Sequence, residues 1–206
     1  METGSTEAEC CLSSLLSELE VPFISELSVE WNDHIKTYNS RVPRTPLAIA
    51  LPSTPEHVRH AVICAVKAGV KVQARCGGHS YGSFSGGGPN TLMVDLAKFA
   101  GIELETGNIA KVGGGVRLGR LAVTLYELNK RAIPHGTSPQ VGVGGHFTHG
   151  GFRYSSRAWG LAVETIVAVD VVIANGDLIH VTEKSHPSLF FVRPHHCAGN
   201  FTQFLT

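Results

Sequence analysis

The sequence predicts an α+β fold, and three stretches carry that prediction. Residues 47–74 read as strand, helix, strand. Residues 101–113 read as two alternating segments around a turn. Residues 166–174 form a β-branched run that leads into Asn175-Gly176. The first pattern is a parallel crossover and the other two are hairpin signals, so one chain holds both kinds of pairing. With 206 residues it is long enough for one good core or two small ones.

Leu12, Leu15, Leu16 and Leu19 fall at helical spacing and predict a helix over 8–20, ended by Pro22. Residues 28–40 are polar and irregular, with Trp31 and Tyr38 as expected packing anchors. Pro43 and Pro46 hold the next stretch extended. Leu47 to Leu51 is a short apolar strand. Ser53 or Thr54 then caps a helix that starts at Pro55. That helix is expected to bury Val58, Val62, Ala65 and Val66 and to stop at Gly69. Val70 to Ala74 and Leu92 to Leu96 are the next two strands. The segments 101–105 and 109–113 flank Thr106-Gly107-Asn108 as a hairpin. A helix over 118–131 turns Leu121, Leu125 and Leu128 inward. Residues 166–174 read as a strand buried on both faces. The expected organisation is an N-terminal helical segment over 1–40, a domain over 41–190 and a divergent tail over 191–206.

Acidic and basic side chains balance at 17 each, so no basic excess points to nucleic acid. No apolar stretch is long enough to span a membrane. Residues 1–9 are acidic and lack a basic region before an apolar run, so no secretory signal is read and an intracellular location is favoured. The five cysteines are odd in number and without paired spacing, which supports neither a disulfide framework nor a zinc site. Asn200-Phe201-Thr202 fits the short glycosylation sequon. Oligomeric state is not legible.

Two glycine-rich stretches carry the chemistry. Arg75-Cys76-Gly77-Gly78-His79-Ser80 follows a strand and contains a turn whose exposed amides can form a nest for phosphate, with one imidazole at its edge. The same hexapeptide also reads as a surface loop whose histidine caps a turn. Residues 142–151, Gly-Val-Gly-Gly-His-Phe-Thr-His-Gly-Gly, contain no G-x-G-x-x-G pattern, so the dinucleotide fold of that name is not indicated. His146 and His149 are three apart, but a zinc site needs a third ligand and a hydrolase a carboxylate, and neither is in view. No metal is expected.

Taken in order, Arg-Cys-Gly-Gly-His-Ser at 75–80, Pro-His-Gly-Thr-Ser-Pro with Val-Gly-Val-Gly-Gly-His over 134–146, and Ser-Ser-Arg-Ala-Trp-Gly-Leu at 155–161 resemble a known family. They look like the PCMH-type FAD-binding domain of the vanillyl-alcohol-oxidase class. The resemblance is strongest to berberine-bridge-enzyme-like and oligosaccharide-oxidase flavoproteins of fungi, and covers about residues 40 to 190. It implies a domain of two α/β subdomains. It also implies FAD bound covalently through His79, with Arg75, Cys76, Gly77, Gly78 and Ser80 around the pyrophosphate. Gly142, Gly144, Gly145, His146, Gly150 and Gly151 resemble the second wall of the flavin site, and Val167 and Val169 its adenine or ribose side. Simple backbone packing is the alternative for these glycines.

Two departures shape the expected function. Doubly tethered members carry a cysteine in a Gly-Thr-Cys-Pro motif, and here that position is Ser138. A serine hydroxyl stays un-ionised near neutrality, so no second tether is expected, and none is assigned to Cys76. The family continues into a substrate domain that usually supplies the catalytic base, whereas this sequence ends at Thr206. A truncated chain without the substrate domain is therefore expected, with apolar strands exposed where that domain would pack. The implied function is an FAD-linked oxidoreductase. It would pass a hydride from a sugar, an alcohol or a secondary metabolite to flavin, as in a fungal biosynthetic pathway, with O2 as acceptor. The alternative is a flavin-binding fragment without catalysis.

Overall fold

The computed structural model describes residues 3–190 and the pair 203–204. The divergent tail expected over 191–206 and the Asn200 sequon lie outside the described residues, apart from that pair.

The first half of the chain runs α1 (Thr3–Glu18), β1 (Phe23–Ile24), α2 (Trp31–His34), β2 (Ala48–Ala50), α3 (Pro55–Lys67), β3 (Lys71–Arg75) and β4 (Thr91–Asp95). Its sheet has the order β1-β2-β4-β3, parallel except for β1 at the edge. The expected crossover from β2 through α3 to β3 is present, and β4 inserts between its two strands. Every residue of β2 and β4 is buried, as parallel strands covered on both faces should be. Alternation along the strands divides the packing. Ala48, Ala50, Leu92 and Val94 join Leu12 and Leu16 of α1 and Val58, Ala61 and Ala65 of α3 in the main core. Ile49 and Met93 point to the other face and pack with Ile24 and Trp31. So α1, set apart in the sequence reading, shares its core with the parallel sheet.

Helix α3 starts as its sequence dictates, with Pro55 in the first turn and the Thr54 hydroxyl accepting from the His57 amide at 3.2 Å. Val66, expected inside, is exposed. Each step of four residues drifts about 40° around a helix, so two steps carry Val66 off the stripe that Val58 and Val62 begin. Tyr38, expected as a packing anchor, is also exposed, whereas Trp31 is buried.

The second half runs β5 (Ile102–Leu104), β6 (Ala110–Val112), α4 (Leu118–Asn129), α5 (Val143–Thr148), α6 (Ser156–Trp159), β7 (Ala168–Val172), β8 (Leu178–Thr182) and β9 (Gln203–Phe204). Strands β5 and β6 form the expected hairpin, and β7 pairs antiparallel with β8 and β9. Val116, Leu118, Leu121, Leu125, Val143 and Phe147 make a second core. The buried stripe of α4 ends at Leu125, and Leu128 in its last turn is exposed, against expectation. The 166–174 stretch is also corrected. Only 168–172 is strand, Val169, Val171 and Val172 are buried, and Val167 is exposed. An antiparallel sheet covered mainly on one face accounts for the difference. Val172 reaches into the main core and links the two halves.

Candidate functional site

The site begins where β3 ends. Arg75 stands in register with Asp95 of β4. Its Nε donates to Asp95 Oδ2 at 3.1 Å, Nη2 donates to the same oxygen, and Nη1 donates to the His34 carbonyl. The pair is well buried, with side chains 14% and 8% exposed. Asp95 Oδ1 also accepts from the Ala97 amide at 2.9 Å. This guanidinium is committed to the scaffold. It fixes the end of the strand from which the glycine turn departs.

Gly78 adopts φ +71°, a left-handed conformation that glycine takes at little cost. Among the described residues, the amides of Gly77, Gly78, His79 and Ser80 donate to no partner. Gly77, Gly78 and His79 border a cavity of about 410 Å³ together with Tyr38, Asp95 and Arg117, and Ser80 follows just outside its lining. Ser80 shapes the loop, its hydroxyl accepting from the Phe84 amide at 3.1 Å. The His79 imidazole stacks on Tyr38 at 4.4 Å, and Tyr38 stacks on Tyr81 at 5.7 Å. Burial and the Arg117 cation hold the His79 pKa below its ordinary value, so the ring is neutral near pH 7. The Cys76 thiol sits against α5, beside Gly144. Burial pushes its pKa up to about 12, so it is an unreactive packing group.

The second glycine stretch packs directly on the first. A Cβ on Gly77 would lie 2.2 Å from the Gly142 nitrogen, and one on Gly142 would lie 2.3 Å from the Gly77 nitrogen. Gly144 abuts Cys76, where a Cβ would come within 2.4 Å of the sulfur. Arg117 spans both stretches. Its Nη1 donates to the Gly77 carbonyl and, at 2.8 Å, to the Gln140 carbonyl, while its backbone bridges Gly142. Behind this wall is a second, largely apolar cavity of about 710 Å³, lined in part by Gly144, Phe147, Trp159, Val167 and Val169.

The proposed site residues therefore separate. Arg75, Cys76, Gly77, Gly78 and His79 border the first cavity, with Gly142 against them. Gly144 and Val169 border the second. Ser138 is exposed, and its carbonyl accepts from the Val141 amide at 3.3 Å. Gly145 is exposed and Gly150 half-buried, and neither borders a cavity described here. The same holds for Gly151, which packs on Ala162, and for His146, whose Nε2 accepts from the Gly136 amide at 2.7 Å. Among the described residues no group of three or more His, Cys, Asp or Glu is placed to hold a metal, and no helix is long and apolar enough to cross a membrane. Sequence reasoning missed Tyr38, Asp95 and Arg117 as site residues. A basic residue after Gly113-Gly114-Gly115 was the available signal for Arg117.

Uncommitted amides along 77–80, a cation that has no carboxylate partner among the described residues and an imidazole whose pKa is held low suit an anionic, phosphate-bearing group with a reactive carbon beside it. This is a cofactor-binding domain. Residues 46–182 match the family described as FAD binding domain, and the chain belongs to that family. It is 46% identical to a xylooligosaccharide oxidase of Thermothelomyces thermophilus over 87% of this chain and 37% of the relative. It is 34% identical to berberine bridge enzyme-like 23 of Arabidopsis thaliana over 71% of this chain and 28% of the relative. A glucooligosaccharide oxidase structure from Acremonium strictum, described as holding a 6-S-cysteinyl, 8α-N1-histidyl FAD, superposes with a TM-score of 0.89 at 34% identity. That match covers 95% of this chain and 42% of the other. The chain thus spans about two fifths of the length of such oxidases.

Proposed function

We propose that this chain is the cofactor-holding part of an FAD-linked carbohydrate oxidase, with FAD attached through His79 alone. The observation that supports this is the His79 imidazole, stacked on Tyr38 at the edge of the first cavity, beside the amides of Gly77, Gly78, His79 and Ser80, which donate to no partner among the described residues. An imidazole kept as the free base offers a nitrogen lone pair. Attachment would join that nitrogen to the flavin 8α-carbon. The imidazole proton and one methyl hydrogen leave, and the two electrons released pass to dioxygen. The free amides and Arg117 would receive the diphosphate. Gly144 and Val169 would border another part of the same cofactor in the second cavity. When bound, FAD supplies two-electron chemistry, taking a hydride from the substrate and passing the electrons to O2. An oligosaccharide is the favoured substrate, because relatives of this chain are named as oxidases of xylo- and glucooligosaccharides.

Ser138 stands where the resembling family carries its second, thioether-forming cysteine, and a serine offers no thiolate. The test is a denaturing gel of the chain and of His79→Ala, both incubated with FAD and viewed under ultraviolet light. Fluorescence is expected in the wild type and not in the variant, with the flavin on the His79 peptide by mass spectrometry. A thioether at any cysteine overturns the single tether, and flavin retained by His79→Ala overturns the assignment. Attachment without oxidation of any oligosaccharide would remove the oxidase half of the proposal and leave the binding half.

A further inference from the structure

We propose that Arg117 is the positioning residue for His79, tying the loop that carries the histidine to the second glycine-rich stretch and placing its cation in the same cavity. This rests on the reading of His79 as the attachment residue. Two geometrical observations carry it. Arg117 Nη1 donates to the carbonyls of Gly77 and Gln140, one on each side of the seam, and the Arg117 backbone bridges Gly142. The seam is where Gly77 and Gly142 meet backbone to backbone, so a shift at either would move the turn that precedes His79.

The charges around the cavity single out Arg117. Arg75 is paired with Asp95, and Lys36 with Asp33 at 2.6 Å. Cys76 is a protonated thiol. Tyr38 stacks on the imidazole, and the segment's His34 contributes its carbonyl to Arg75. Among the described residues Arg117 has no carboxylate partner, and after burial it is the second cause that lowers the His79 pKa. A fixed positive charge disfavours a second one on the ring, so Arg117 adds to burial in favouring the neutral, nucleophilic form of His79 while it holds the loop in place.

The deciding experiment is an NMR titration of the flavin-free chain, with the His79 signal identified by its loss in His79→Ala. The wild-type midpoint is expected below the ordinary 6.5. Arg117→Gln, which keeps a donor for the Gly77 carbonyl but no charge, is expected to raise that midpoint. Arg117→Lys, which keeps the charge but offers a compact ammonium in place of the fork, is expected to hold the midpoint. It should reduce flavin attachment by about tenfold through the loosened loop. An unchanged midpoint in Arg117→Gln overturns the proposal. If that variant does not fold, Arg117→Lys decides. An Arg117→Lys midpoint held at the wild-type value together with reduced flavin attachment supports the role, and flavin attachment at the wild-type level overturns it. Flavin attachment by His79→Ala would instead overturn the reading of His79 and leave the titration's result on Arg117 intact.

Discussion

A methyl group at Gly77 would meet the Gly142 nitrogen at 2.2 Å, and a real Cβ contact does not come so close to backbone. Gly142→Ala must therefore push the two glycine stretches apart. Overpacking of this kind costs about 1–3 kcal/mol, read as a lower urea midpoint, and flavin attachment at His79 should fall with it. His146 makes a different prediction. Its Nε2 accepts from the Gly136 amide, and burial, with His135 nearby, holds its pKa below 6.5. The unfolded chain therefore takes up this proton first as pH falls. Stability from this group is complete above about pH 6.5 and declines as pH drops from there through the lower folded value. His79 adds to the same acid loss. His146→Gln keeps an acceptor without a titrating ring, so its unfolding free energy should fall less between pH 7.5 and pH 5 than the wild type's. Equal slopes would show that His146 does not contribute.

At the scale of elements, β3 and β4 matter through their shared C-terminal end. Parallel register brings Arg75 beside Asp95, and Asp95 also accepts from the Ala97 amide. The pair fixes the exit of the strand and, through the His34 carbonyl, the segment that carries Tyr38. Removing one partner leaves the other charge buried alone, which typically costs about 3–5 kcal/mol. Asp95→Asn is expected to destabilise the chain by that order in urea unfolding and to free the Tyr38–His79 stack. A loss below 1 kcal/mol would mean that solvent reaches the pair. The α5 segment shows why an element was missed. Gly142, Gly144 and Gly145 lower helix propensity, so the sequence reads as loop. Those glycines are compatible with a helix here because Gly142 and Gly144 lie against Gly77 and Cys76, and Val143 and Phe147 are buried in the second core.

For the whole molecule, two cores meet at a wall built from Cys76, Gly77, Gly142 and Gly144, with a cavity on each side. A ligand that touches both halves should stabilise them together. Added FAD, before any attachment, is expected to raise the melting temperature, by the equivalent of about 2.7 kcal/mol at a hundredfold excess over its Kd. Thermal unfolding with FAD absent and present measures this, and no shift would argue that the cavities do not bind it. Apolar strands were expected to be exposed. The exposed large apolar groups of the second half include Phe152, Tyr154 and Trp159 around α6, with Val167 just before β7. Most of its strand residues are at least half-buried. Leu178 of β8 is the exposed large apolar residue within these strands among the described residues.

Much of this was legible in the chain. The crossover, its Thr54 cap, the 102–112 hairpin and the glycine turn at 77–78 are local facts, set by side-chain period, proline and glycine within a few residues of each other. Tertiary structure decided what local pattern does not encode. It placed β4 between β2 and β3, it brought Gly77 against Gly142 across 65 residues of sequence, and it set Arg117 and Tyr38 beside His79. The physical reason is that burial is shared between distant segments. A glycine declares that something will come close, but only the packed fold says what it is.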